Sequence, residues 1–527
     1  MNKLKLDAPE VEIREARLGT IIAWDGSASE LSRQSDYKGR GCGNPSGSCK
    51  LCEIEGPFAQ GSGCSEEMVE CQAGQVRDAV LIQHSPIGCG AGQIANNRMF
   101  RFGLARRGLP VENVKIICTN LLEGDMVFGA TNKLKQTIQD AYNRYHPNTI
   151  FISSSCSTGI IGEDIANVAA EYEDLLKIPV VPMLCEGFKS KHWSTGFDVT
   201  QHGILRQIVN KNPKKQEDLI NVITLWGSDV YTPMFKELGL RVNFVVDLAS
   251  TEDLQRLSEA TATVSFCYTL ASYLSAGLEQ LYGVQEIKAP QPYGFKGTDA
   301  WLREIGRVTK REEVVEKYIE KEHARVKPVI EELKKKLKGV KGFTSTGSGY
   351  SHGLITVLRE LGVEVEGSLV FHHDPVYDSG DPKEDSLKHL VENYGDVPNF
   401  SVSNHQQYQF YSLLKRVNPD FILIKHGGLA PLASKLGISA TPLGDESLTI
   451  GYEGMIYMGN KILDILAKKK FHNILKKHTK LQYTDWWLGQ DDPYILAKDP
   501  KLLEEKFGEL VESVGNTYVE TKKVVNL

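Results

Sequence analysis

No uninterrupted apolar run in the sequence reaches the ~18 residues that a membrane-spanning helix needs. The first residues, MNKLKLDAPEVEIREARLG, are too charged to hold the apolar core of a secretory signal. Long basic runs are missing as well. The 61 basic and 67 acidic side chains give a formal net charge of −6 and a pI near 6.2, which argues against nucleic acid as the main partner. The basic stretch Lys334, Lys335, Lys336 and Lys338 reads as the solvated face of a helix. There is no repeat of fixed short period and no low-complexity segment. The expectation these absences leave is a globular, cytoplasmic protein with neither nucleic acid nor membrane as a partner. Its 527 residues, 41% apolar and 24% charged, allow about three to five domains.

Beyond Cys267 there is no cysteine at all. The ten present are crowded toward the other end: Cys42, Cys49, Cys52, Cys64, Cys71 and Cys89, then Cys118, Cys156, Cys185 and Cys267. Without an export signal, such a cluster points to metal or redox chemistry rather than structural disulfides. Burial as small apolar side chains is the plain alternative for any one of them, but it does not explain the crowding.

From about residue 75 the pattern is α/β. The short runs AVLI (79–82), VKIIC (114–118), TIFIS (149–153) and VVPML (180–184) read as strands alternating with amphipathic helices, among them GEDIANVAAEYEDLL at 162–176. A second series starts near 218 with INVITLWG, VNFVVDL and a helix around Glu252 to Glu259. A third starts near 340 with the glycine-rich STGSGYSHG, then helix ITVLREL, strand VEVEGSLVF, helix KEDSLKHLVENY and strand DFILI at 420–424. Between them a charged helical stretch at about 308–337 is broken by Pro328 and reads as a connector or a surface helix pair. Three such series predict three Rossmann-like, doubly wound parallel sheets. The expected division is a Cys- and Gly-rich extension at 1–60, α/β domains at 61–215, 216–338 and 339–467, and a tail at 468–527 that could wrap over a partner.

Three cysteines fall where strands give way to turns. Cys89 lies in HSPIGCG after AVLI, Cys156 in SSSCSTGIIGED after TIFIS, and Cys64 in the glycine-rich GSGCSE before the first strand. Strand-end loops converge on one sheet edge, so Cys89 and Cys156 can face a common site. The helix after Cys156 helps a thiolate form. Thiolates on glycine-rich loops suit an iron–sulfur cluster, whose sulfides need close backbone N–H groups. A zinc site on the CxxC pair Cys49 and Cys52, with Cys42 and Cys64 nearby, competes with it, and so does no metal at all.

HSPIGCG, SSSCSTGIIGEDI, VPMLCEGF and SFCYTLASYL, in that order across roughly residues 60–467, resemble the α-type subunits of the nitrogenase component 1 family. The resemblance implies three Rossmann-like domains around a central metallocluster cleft. It implies a β-like component 1 subunit as partner, in an α2β2 assembly, and an ATP-dependent iron protein as electron donor. By position, Cys64, Cys89 and Cys156 match ligands of the interface iron–sulfur cluster, either P-cluster-like or 4Fe-4S. Cys267 matches the cysteine that anchors a larger iron–sulfur cofactor, whose heterometal is left open.

The departures are in the cofactor pocket. In nitrogen-reducing members a histidine holds the far end of the cofactor; here the matching position in GISATPLGDESLTIGYEGM is Gly444, which has no side chain to ligate. A glutamine and a histidine that follow CEGF in those members are replaced by Trp193 and Phe197, which cannot relay a proton as imidazole does. An arginine of the third domain is replaced at Tyr350. His192, His352, His372, His373, His405 and His426 could offer a substitute ligand, and each could equally be a core or surface histidine. Cys185 belongs beside the pocket rather than on the metal. Cys42, Cys49, Cys52 and Cys71 have no counterpart in the resemblance; they could bind a further cluster, replace an interface ligand, or simply pack.

These features imply a reductase of a small molecule other than dinitrogen. The methylthio-alkane reductases, which cleave a C–S bond, are one such group, and an aromatic pocket suits an organic sulfide. The second reading is a scaffold subunit for assembly of the nitrogenase cofactor, which also lacks the histidine. A tetrapyrrole-reducing relative is the third. The retained CEGF and the aromatic pocket favour the enzyme.

Overall fold

The structure, a computed structural model, describes residues 3–34, 60–61, 63–288, 290–375, 385–404, 406–425, 429–492, 501–502, 504–506 and 508–509. Cys42, Cys49, Cys52, His405 and His426 lie outside these residues. Among the described residues no helix is long and apolar enough to cross a membrane.

Val- and Ile-rich runs buried along their whole length become parallel strands, because a strand covered on both faces needs apolar residues at every position. In the first sheet, β2 (Ala79–His84) pairs with β3 (Ile116–Cys118) on one side and β4 (Thr149–Ser154) on the other, and β5 (Val180–Met183) lies beyond β4. In the second, β6 (Leu219–Thr224) sits between β7 (Arg241–Val246) and β8 (Ala262–Ser265), with β9 (Gln285–Glu286) at the edge. In the third, β10 (Lys341–Thr346) sits between β11 (Glu364–Val370) and β13 (Phe421–Ile424); β12 (Asn399–Ser403) and β14 (Ser439–Pro442) continue it outward. The chain is therefore an α/β protein of three Rossmann-like sheets.

Each sheet changes direction once, between β2 and β4, between β6 and β8, and between β10 and β13. Crevices at the carboxyl ends of such strand pairs are where doubly wound sheets bind ligands. Cys89 follows β2 and Cys156 follows β4; Cys267 follows β8; Gly347 and the start of the helix that holds Tyr350 follow β10, and Lys425 follows β13. The topology thus delivers these residues to three ligand-binding edges.

Four readings of the sequence change. Residues 3–34 are not an appended extension, since β1 (Ala23–Gly26) adds antiparallel to β12 and closes an edge of the third sheet. Pro328 does not break its helix, which runs from Glu312 to Leu337. Val315, Ile319, Val326, Ile330 and Leu333 form a buried stripe that crosses the proline, and their burial outweighs the lost backbone bond. The glycine-rich stretch of the third series is mostly helix, beginning at Ser348 and running to Glu360. The tail turns back on its own chain: Tyr483 and Trp487 meet Tyr408 edge to face with ring centroids 5.5 and 4.9 Å away.

Candidate functional site

Cys64, Cys89 and Cys156 are free, exposed thiols. Cys64 caps the helix Ser65–Ala73, so a helix intervenes between it and β2. Cys89 lies in the tight turn Ile87–Gly92. Cys156 opens the helix Cys156–Ile161, whose cap Ser155 accepts from the Thr158 amide. Gly187 ties two of them together: a β-carbon on it would lie 3.1 Å from Cys64 Sγ and 3.5 Å from Cys156 Sγ. The glycine of CEGF is a cradle that both sulfurs fill.

Burial pushes the Cys64 thiol up, and burial together with the Glu66 charge pushes Cys89 up to about 11. Both carry a cost as thiolates that a bound cation removes. Among the described residues no three His, Cys, Asp or Glu side chains are close enough to share one metal ion. Two thiols packed on one glycine, with Cys89 exposed on the turn after the neighbouring strand, instead fit a cluster of several metals. Ile87 and Ile94 flank Cys89, Ile160 shares the helix of Cys156 and Phe188 follows Gly187; all four are exposed, as is Phe128, by 90%. A patch of this kind marks a partner surface.

Cys267 is buried and caps the helix Tyr268–Tyr282. Burial raises its thiol, while the Thr269 hydroxyl and the amides of Thr269 and Leu270 pull it back. Two cations stand near, Arg14 buried and Lys425 partly buried in an ion pair with Glu446. Arg14 Nη2 donates to the Thr269 carbonyl at 2.5 Å and to Asp198 at 2.7 Å. Lys425 is brought down to about 8 by burial, against the opposing pull of Cys267, Cys71, Asp247 and Asp445. A helix start and two nearby cations suit a thiolate holding an anionic metal–sulfur group.

Trp193 and Phe197 meet edge to face at 5.8 Å. Trp193 also faces His192 at 5.2 Å and His372 at 6.1 Å, and the two imidazoles lie 4.3 Å apart. His372 Nε2 is 3.0 Å from Thr269 Oγ1 and 3.3 Å from Asp374 Oδ2. Burial works against the Asp374 carboxylate, yet His372, Arg14 and His192 hold it below the ordinary range. His352 is kept from protonating by burial and by the neighbouring His373 and His372. The structure therefore gathers His192, His352, His372 and His373. Tyr350 is buried against Phe266 and Tyr293, its hydroxyl 3.3 Å from Thr449 Oγ1. A β-carbon on Gly444 would meet nothing within 4 Å. A cavity of about 190 Å³ backs onto Trp193, its lining part apolar (Met68, Leu369, Phe371, Phe410) and part polar (Glu67, Ser403, Gln406, Gln407).

Cys71 and Cys185 are each hydrogen-bonded within the protein. Cys185 Sγ donates to the Ser154 carbonyl at 3.3 Å, and Cys71 Sγ to Asn96 Oδ1 at 3.3 Å. Sequence reasoning missed Glu66, Arg14, Asp374 and Lys425. Only Glu66, two residues after Cys64, carried a positional signal; the others acquire meaning through burial.

The chain matches the family described as nitrogenase component 1 type oxidoreductase over residues 64–467. It is 31% identical over 306 residues to the nitrogenase molybdenum-iron protein alpha chain of Methanosarcina barkeri, covering 55% of this chain and 56% of that protein. With the corresponding alpha chain of Clostridium pasteurianum it shares 30% over 315 residues, 57% of this chain and 58% of that one. The chain thus spans little more than half the length of these two relatives. It is 27% identical over 398 residues to the nitrogenase iron-molybdenum cofactor biosynthesis protein NifE of Methanococcus maripaludis, covering 72% of this chain and 78% of that protein. The solved structure titled nitrogenase Cp1 at pH 6.5 superposes with a TM-score of 0.64 at 22% identity, over 80% of this chain and 91% of that one. That likeness concerns the fold alone.

Proposed function

The chain belongs to the nitrogenase component 1 type oxidoreductase family, and from that membership we propose that it is the α-like subunit of an iron–sulfur reductase acting on a small molecule other than dinitrogen. Bound clusters would supply low-potential electrons and a metal–sulfide surface. Cys64, Cys89 and Cys156 would hold this subunit's side of an interface cluster, and Cys267 would anchor the larger cofactor. The exposed apolar residues around the trio support a β-like partner in an α2β2 assembly, with an ATP-dependent iron protein as donor. In this reading residues 61–215 carry the interface cluster, 216–338 the cofactor cysteine, and 339–467 the facing wall.

One observation carries the choice of substrate class: Trp193 and Phe197 form an aromatic wall beside Cys267's helix, and the cavity behind Trp193 sets Met68, Leu369, Phe371, Phe410 and Leu429 beside Glu67, Ser403, Gln406 and Gln407. Such a wall favours a methyl thioether over a small polar molecule. The reaction takes two electrons and two protons, breaks one C–S bond, and releases methanethiol and a hydrocarbon. The polar groups able to move protons near that wall are His192, His372 and Asp374, placed as described above.

A scaffold for cofactor assembly is the second reading, supported by the match to the biosynthesis protein over 72% of this chain. The experiment is anaerobic co-purification with the β-like partner, followed by iron analysis, EPR of wild type and Cys267→Ala, and turnover with methyl thioethers. Methanethiol release that depends on the iron protein and on Cys267 supports the reductase. Two clusters without turnover, with cofactor passed to an apo-nitrogenase, supports the scaffold. Iron sufficient only for an interface cluster, unchanged in Cys267→Ala, moves the assignment to a tetrapyrrole-reducing relative.

A further inference from the structure

The cavity behind Trp193 lies at the carboxyl edge of the third sheet, the edge on which doubly wound sheets take ligands. Leu369 and Phe371 come from the end of β11, Ser403 from the end of β12, and Phe410 from the helix Gln407–Val417 that follows. Glu67 and Met68, on the helix Ser65–Ala73, close it from the first domain together with Trp193. Trp193, Leu369, Phe371, Ser403 and Phe410 are buried, whereas Glu67 and Gln407 are exposed. The cavity therefore has a largely aromatic floor and a mouth that carries a carboxylate.

Its electrostatic sign is negative. Among the described residues that line it, Glu67 is the one charged side chain, and none is Lys, Arg or His. Nor does any of the described residues form an ion pair with Glu67. The neighbouring polar groups are already engaged: Ser403 Oγ donates to Gln60 Oε1 at 3.2 Å, and Gln406 Oε1 accepts from the Tyr408 amide at 3.1 Å. Inside stand three aromatic rings, Trp193, Phe371 and Phe410, a type of side chain whose π-face attracts cations. Phe197, His192 and His372 meet the Trp193 indole at 81, 71 and 77°, so none of these three stacks on its face. Gly63 fixes the indole from the chain side, since a β-carbon there would lie 2.6 Å from Trp193 Cβ.

Size and ligand count narrow the class of cation. At about 190 Å³, against ~30 Å³ for one water, the cavity has room for roughly six heavy atoms. A bare metal ion wants several oxygen ligands, and a single carboxylate does not supply them. A primary ammonium has three N–H donors to satisfy, which rings and Leu369 cannot do. A cation clad in methyl groups has no such donors, so apolar and aromatic walls cost it least.

We propose that this cavity binds a small, fully alkylated onium cation, a trialkylsulfonium or a quaternary ammonium. Its methyl groups lie against Trp193, Phe371 and Phe410, and Glu67 balances its charge at the mouth. The site is built from side chains alone, goes beyond the reductase reading, and does not depend on the cluster assignments.

The test is calorimetric titration of the anaerobic complex with its β-like partner. The probes are trimethylsulfonium and tetramethylammonium, with tert-butanol as a neutral molecule of similar size. The preferred cation should bind at least about tenfold more tightly than tert-butanol and weaken as salt is raised. Glu67→Gln keeps the shape and removes the anion; it should weaken the cation about tenfold and leave tert-butanol unchanged. Phe371→Leu, which keeps an apolar wall and removes one ring, should weaken the cation about fivefold. Tighter binding of trimethylsulfonium identifies a sulfonium as the natural ligand, and tighter binding of tetramethylammonium a quaternary ammonium. Cations that bind no better than tert-butanol overturn the proposal. So does tight cation binding that Glu67→Gln leaves unchanged, because the cation then sits elsewhere on the molecule. Glu67 is exposed, so that variant decides the matter even where Phe371→Leu does not fold.

Discussion

His372 Nε2 and Thr269 Oγ1 are joined at 3.0 Å, which ties the end of β11 to the helix that Cys267 caps. The hydroxyl of Thr269 also reaches the Cys267 sulfur. One side chain thus orders the anchor thiol and an imidazole on a different sheet. Thr269→Val keeps the shape and removes both bonds. It should destabilise the complex by about 1–3 kcal/mol, the usual penalty for stranding a buried polar partner. Denaturant unfolding of the purified complex measures it, and Thr269→Ser should recover most of the loss.

Asp198 is buried between Arg14 and Arg17, each at 2.7 Å. Removing the only anion of such a group leaves two buried guanidinium charges facing each other. Asp198→Ala should therefore cost about 3–5 kcal/mol, more than Arg17→Ala. Arg14→Met combined with Asp198→Leu should recover part of it. Thermal unfolding of the three variants ranks them, and equal melting temperatures for Asp198→Ala and wild type would falsify the assignment of this pair as structural.

Gly187 leaves room for sulfur rather than for a methyl group. Gly187→Ala should displace Cys64 and Cys156 and lose most of the interface-cluster signal while the Cys267-dependent signal persists. Iron content together with EPR reads the two separately. Loss of both signals in parallel points instead to general misfolding.

His84 is fully buried at the end of β2, with Nδ1 3.1 Å from Thr119 Oγ1. Burial lowers it from 6.5 to about 4. Below its ordinary value the unfolded chain takes up the proton first, so the unfolded state binds more protons and stability rises with pH across this window. The contribution of neutral burial is complete above about 6.5 and is lost as pH falls toward 4, amounting to about 3 kcal/mol. His84→Gln should flatten this dependence in unfolding measurements between pH 4.5 and 7.5.

How far the sequence carries follows from which signals are local. The parallel strands were legible because buried strands are continuous in Val and Ile, and the strand-end positions of Cys89 and Cys156 followed from them. β1 was not legible, since its partner β12 lies hundreds of residues away and its short run AWDG has no strand periodicity of its own. Pro328 misled because helix propensity is local, whereas the buried stripe from Val315 to Leu333 is tertiary. Arg14, Asp374 and Lys425 are ordinary charged residues in the sequence; only enclosure near Cys267 makes them electrostatically significant. The histidines posed the opposite problem. They were visible as candidates, but the stacking of His192 on His372 depends on a loop from the first sheet meeting a strand end of the third.

Trp193 both lines the cavity and contacts His192 and His372, so it is the side chain on which substrate shape should depend most. Trp193→Ala joins the cavity to the space beside those imidazoles. If the proposed thioether chemistry is right, small methyl thioethers lose apolar contact and their KM rises about tenfold, which corresponds to roughly 1.4 kcal/mol. Bulkier thioethers, excluded by the indole, should gain in kcat/KM relative to small ones. Trp193→Phe, which keeps an aromatic wall, should fall between wild type and Trp193→Ala for both. A uniform loss of kcat for all substrates, with their ranking unchanged, would instead place Trp193 among residues that position the cofactor. Measuring kcat and KM separately for a short and a branched thioether distinguishes the two outcomes. Iron content of each variant checks that the clusters are intact.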